Sequence, residues 1–127
     1  MAAGTRYTVS LTSGAEQDLD DIIGFVAVSD SPGKAAVLLD RIVEKCETLA
    51  VAPERGTWVP ELLTLGIREY RQILFKPYRV IYQVIDSPPS SQAVVVVIAD
   101  SRRSLRTLLE RRLLDPGTSP FNGPPAA

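Results

Sequence analysis

Residues 77–86 read PYRVIYQVID. Branched aliphatic and aromatic side chains dominate, which is the composition of a buried β-strand. Alternation sets Tyr78, Val80, Tyr82 and Val84 on one face and Arg79, Ile81, Gln83 and Ile85 on the other. The tyrosine–valine face suits a core under helices. Arg79 and Gln83 then fall on a partly open face, where Arg79 can pair across strands with Glu69 or Arg71.

Reading outward, Lys76-Pro77 makes a tight connection back to IREYRQILF, residues 67–75, which reads as a strand. On the other side DSPPSSQ, 86–92, is a hairpin loop rich in turn residues. AVVVVIA, 93–99, is apolar without a break. A strand of that kind is covered on both faces and lies centrally in its sheet. Three strands with short links form an antiparallel meander.

Upstream, RYTVSLT at 6–12 alternates and reads as a first strand. Ser13 and Glu16 have capping-box spacing, predicting a helix from Ser13 to about Val28. A turn at 29–33 follows. Ser31 as N-cap and Pro32 at the first position open a second helix that Pro53 closes. Ala35, Leu38, Leu39, Ile42, Val43, Cys46 and Leu49 stripe its inner face. Cys46 on that stripe reads as an inert core thiol. The short turn makes the helices an antiparallel hairpin. Residues 53–66 read as a connecting loop, with Trp58 anchored on the core.

After the third strand, Asp100 or Ser101 caps a helix with the sequence SRRSLRTLLERRLL. Leu105, Leu108, Leu109 and Leu113 form its apolar stripe. Arg106 and Glu110 stand four apart, and Arg111 and Arg112 complement the negative end of the helix dipole. DPGTSPFNGPPAA, 115–127, reads as a disordered tail. The fold class is α+β: a strand, a helical hairpin, a three-stranded antiparallel meander and a C-terminal helix, with one domain over 1–114.

Composition removes much chemistry. The 127 residues contain no histidine and one cysteine. Histidine-based nucleophile systems, internal disulfides and His/Cys zinc sites are therefore excluded. No glycine-rich phosphate cradle occurs, and no cofactor is implied. No apolar run is long enough to span a bilayer and no leader is visible, so the expected location is cytoplasmic with no membrane partner. The net charge is −1. Residues 1–66 hold ten acidic and five basic side chains, net −5, and residues 67–127 hold five and nine, net +4. The second half therefore offers a basic face. With a pI near 5.4, sequence-specific DNA binding by this chain is not the expected role.

YRVIYQVID, a polar hairpin, a buried strand and then ADSRRSLRTLLERRLL together resemble the RelE/ParE toxin superfamily, over about residues 7–114. The resemblance implies a toxin of a type II toxin–antitoxin system, neutralised by a cognate ParD-like antitoxin. Two activities occur there. ParE-like members bind DNA gyrase, and RelE-like members cut mRNA on the ribosome. The RelE-like pattern has a basic residue four positions before the Tyr-Arg pair, which here is Leu74. It also has a tyrosine where this chain has Leu108 or Leu109, and loop lysines that are absent from 50–65. The resemblance thus favours the ParE-like branch, inhibiting gyrase by binding, with plasmid stabilisation as the associated role. Arg71, Arg79, Arg102, Arg103 and Arg106 are the candidate antitoxin- or target-binding residues, on one basic face of sheet and last helix. In the RelE-like alternative Arg79, Arg102 and Arg103 would be catalytic. A third possibility is a non-toxic member that keeps only antitoxin binding.

Overall fold

A computed structural model of the chain describes residues 6–87, 90–102 and 105–114. Its elements run β1 (Thr8–Leu11), α1 (Ser13–Ser29), α2 (Pro32–Glu47), β2 (Thr57–Trp58), α3 (Pro60–Leu63), β3 (Arg71–Phe75), β4 (Tyr78–Ser87), β5 (Ser90–Asp100) and α4 (Leu105–Leu109). The five strands form one sheet in the order β1-β5-β4-β3-β2. β1 is parallel to β5 and the other neighbours are antiparallel. The apolar run 93–99 therefore lies centrally, between β1 and β4. Among the described residues no helix is long and apolar enough to cross a membrane.

The predicted order of elements holds, with local corrections. Thr12, not Ser13, caps α1: its hydroxyl accepts from the Ala15 N–H at 3.1 Å. Thr12 is the last extended residue, as a capping geometry requires, whereas Ser13 is already helical. Ser31 caps α2 with Pro32 behind it, as the sequence predicts. That helix ends at Glu47 and tightens into a 3₁₀ turn, Thr48–Ala50, well before Pro53. The stretch read as loop 53–66 holds β2 and α3. β3 starts at Arg71 rather than at 67, because Ile67 and Tyr70 turn away to pack on a second core. The hairpin is tighter than DSPPSSQ suggests, since pairing runs out to Ser87 and Ser90. Asp100 is the last residue of β5, and α4 begins at Leu105, later than the predicted cap. A π-helical turn, Glu110–Leu114, continues it. The predicted tail, 115–127, lies outside the described residues.

The sheet is covered on both sides. Ile42, Cys46, Leu49, Ile73, Val80, Tyr82, Val95 and Ile98 form a core under the helical hairpin. Val59, Leu62, Tyr70, Ile81, Val96, Val97, Leu105 and Leu109 form a second core under α3 and α4. The Tyr/Val face of β4 does lie under the hairpin. The opposite face, read as partly open, is covered by the two later helices.

A β-bulge lets one valine run serve both cores. Ile81 pairs with Val97 and the next residue, Tyr82, pairs with Val95, leaving Val96 as the extra residue. The alternation shifts phase there: Ala93, Val95 and Ile98 face the hairpin, while Val96, Val97 and Ala99 face α3 and α4.

Candidate functional site

Arg79 is an enclosed group, with 11% of its side chain exposed. Its Nη1 and Nη2 donate to Glu61 Oε2 and Oε1 at 2.9 and 2.8 Å. Its Nε donates to Gln72 Oε1 at 3.0 Å, and Nη2 also contacts that oxygen. This forked arrangement matches the planar guanidinium to a carboxylate and an amide. The sequence suggested Glu69 or Arg71 as cross-strand partners, and neither is. Arg71 faces the other side of the sheet, in register with Tyr82. Glu61 comes from α3, which sequence periodicity could not reveal in four residues; the signal available was Pro60 at a helix start, followed by Glu61 in the first turn. The Arg79 hydrogen bonds hold the Glu61 carboxyl below the usual carboxylate range, against the opposing effect of burial.

Directly across the strand from Arg79 stands Leu74, half exposed. Among the described residues no second cation stands across the strand from Arg79. Burial pushes up the phenols of Tyr70, Tyr78 and Tyr82, and Asp100 beside Tyr78 adds to its shift. Burial pushes the Cys46 thiol up to about 11. Each of these groups, like Glu61, moves away from neutral pH. Among the described residues no group of His, Cys, Asp or Glu is placed to hold a metal ion.

The other candidate arginines are spread over the molecule. Arg71 donates from Nη1 to the Gly56 carbonyl at 2.8 Å, and its guanidinium stacks on the Trp58 ring at 4.1 Å. Trp58 thus sits on the edge strand β2, half exposed, and not buried as a core anchor. Arg102 is 74% exposed and is bound to Asp100, its Nε donating to Oδ1 at 2.9 Å. Arg106 makes the predicted pair with Glu110, at 3.4 Å on an exposed surface. Arg103 lies outside the described residues. Strand alternation sends Arg71 and Arg79 to opposite faces, so the two do not share a surface.

Sequence reasoning missed the role of Arg112. Its Nη1 and Nη2 each donate to Asp18 at 3.0 Å, and Nη1 donates also to the Val96 carbonyl at 2.9 Å. Asp18 in turn accepts from the Ile98 N–H at 3.0 Å. β1 ends at Leu11 opposite Val95, so β5 has no strand beside it from Val96 onward on that side. The pair satisfies two backbone groups of that overhang, beside the bulge. Gly14 makes the space: a Cβ there would lie 2.9 Å from Arg112 Nη1. The helix-dipole role read for Arg112 is therefore secondary to a specific clamp between α1, β5 and the C-terminal turn.

Comparison with known proteins agrees with this architecture. The family model described as the ParE toxin of the type II toxin–antitoxin system parDE matches residues 9–105. The chain belongs to that family of type II toxin–antitoxin toxins. A solved structure of the chromosomal ParDE toxin–antitoxin system from P. aeruginosa is similar, with TM-score 0.60 and 21% identity. That match covers 74% of this chain and 95% of that one. The RelBE2 toxin–antitoxin complex from Mycobacterium tuberculosis matches with TM-score 0.54 and 20% identity, covering 76% and 93%. No curated protein sequence matches the chain.

Proposed function

We propose that this chain is a ParE-like toxin that inhibits DNA gyrase by binding it, acts in the cytoplasm and is neutralised by a cognate ParD-like antitoxin. The observation that carries the reading is the internal engagement of Arg79. A ribonuclease must stabilise charge on a phosphorane and move two protons. Here the sheet arginine is occupied by Glu61 and Gln72, its cross-strand neighbour is Leu74, and no tyrosine follows Tyr82. A binder needs none of that machinery. Support for an antitoxin partner comes from the two similar structures, both of which are toxin–antitoxin assemblies by description.

In this reading Arg102 and Arg106 belong to the recognition surface of the last segment, with Arg103 a candidate from the sequence alone, while Arg71 presents a stacked cation at the β2 edge. Arg79 keeps α3 in place rather than contacting the partner. The test is to purify the chain alone and to assay gyrase supercoiling beside ribosome-dependent mRNA cleavage. Inhibited supercoiling with intact mRNA is the expected result. Cleaved mRNA with unaffected gyrase overturns it in favour of the endonuclease, and no effect in either assay identifies a member that only binds its antitoxin.

A further inference from the structure

The sheet has a second overhang, at the opposite end. β3 leaves off where Arg71 pairs with Tyr82, but β4 runs on to Ser87. β5 covers one edge of that arm as far as the Ser87–Ser90 pair. Among the described residues nothing hydrogen-bonds to its other backbone edge. The β5 overhang is closed by Asp18 and Arg112, whereas this one is bare.

A groove of about 360 Å³ runs along it. Gln83 and Val84 line it from β4, and the half-exposed Trp58 ring lines it from β2. The Gln83 Oε1 is buried without a hydrogen-bond partner among the described residues. Such an oxygen is costly unless something supplies a donor. Three carboxylates, Glu54, Glu69 and Asp86, also line the groove. Tyr7 and Ser91 donate to Asp86 and leave its charge in place. Glu54 and Glu69 make no ion pair among the described residues. On the basic side are Arg68 and Arg71; Arg71 is held by backbone carbonyls and Trp58 and keeps its charge, so carboxylates outnumber guanidinium groups by three to two along the groove.

We propose that this edge receives an extended segment of a protein partner carrying lysine or arginine, which adds as a strand beside Gln83–Asp86. An open strand edge with unpaired N–H and C=O groups is matched by another extended backbone. Alternation in the added strand would set one row of side chains on the face of Trp58, Val84 and Asp86 and the other on the face of Gln83. The excess of carboxylates lining the groove selects basic side chains for the first row. The antitoxin is the natural supplier, and only that attribution rests on the toxin reading above.

The test uses the full chain and an acetylated heptapeptide of alternating valine and lysine. Its controls are the valine–glutamate counterpart and a lysine peptide with a central proline. The lysine peptide is expected to shift the backbone NMR signals of 83–87 and to slow their amide exchange. Both controls should bind at least tenfold more weakly. Exposed Glu54 and Glu69 can be reversed without loss of the fold, and E54K/E69K should weaken binding of the lysine peptide at least tenfold. Gln83→Met, which keeps the volume and removes the amide, should weaken it about threefold. Equal binding of the lysine and glutamate peptides, or shifts centred on α3 and β3, overturns the proposal. So does self-association of the chain through the same edge, which would make a second copy the occupant. Peptide binding at this edge with no effect on gyrase leaves the strand site standing and removes the gyrase reading; inhibited gyrase with a silent edge does the reverse.

Discussion

The two overhangs of the sheet solve the same problem differently. Where β5 outruns β1, an aspartate from α1 and an arginine from the C-terminal turn close the bare edge. Where β4 outruns β3, the edge is left with an unpartnered glutamine oxygen and a rim of carboxylates. An edge closed from within is part of the fold. An edge left open, where the other buried side-chain polar atoms of the described residues have partners, is available to something else. The contrast separates structure from recognition more clearly than the arginine count does.

The largest effect is expected from opening the closed edge. Asp18→Asn removes the Asp18 charge from beside the mostly buried Arg112 and should cost about 3 kcal/mol. Urea denaturation measures the loss, and amide exchange at Ile98 should rise with it. Replacing the pair by apolar residues, as in D18L/R112M, should cost less than the single change. If the single and double variants are equally destabilised, the clamp is not a coupled unit.

Gly14→Ala is expected to destabilise by about 1–2 kcal/mol, since the new methyl group meets the Arg112 guanidinium. In an Arg112→Ala background the same change should become stabilising by up to about 1 kcal/mol, because alanine is the better helix former. A double-mutant cycle on thermal unfolding reads that reversal of sign.

Between the two overhangs sits the Arg79 fork. Glu61→Gln should cost about 1–2 kcal/mol at neutral pH. The sign follows from the lowered Glu61 pKa: the folded state favours the ionised carboxylate, so the stabilisation is full above the ordinary value of 4.5. It is lost as pH falls below that value through the folded pKa. The stability difference between wild type and E61Q should therefore be flat from pH 5 to 7 and shrink in more acidic solution. A difference that does not change with pH would show that the carboxylate's charge is not what holds α3.

The smallest expected effect has the opposite sign. Gln83→Met on the open edge removes a buried unpartnered acceptor and should leave stability unchanged or raise it by up to about 1 kcal/mol. A loss of 2 kcal/mol or more would mean that the amide is part of the fold, and the contrast between the edges would fall.

The elements that the sequence makes legible are those with long periodic patterns. The helical hairpin, β4 and the central position of 93–99 follow from apolar spacing alone, and Ser31-Pro32 marks a helix start because few other roles suit that pair. Short elements were not legible. β2 has two residues and α3 four, too few for any period to be counted. The partners of Arg79 and Arg112 were hidden for the same reason that both matter. Each is fixed by where distant segments meet, 18 and 94 residues apart in the chain. The run AVVVVIA declared a buried strand but concealed the bulge, because a string of valines reads the same in either phase.

The Asp18–Arg112 clamp also orders events during synthesis. All five strands have been made once Asp100 is added. The guanidinium that closes the Val96–Ile98 edge comes twelve residues later than Asp100 in the chain. A nascent chain that stops after β5 therefore carries these five strands with one edge still open, and that edge is closed only when the turn Glu110–Leu114 emerges.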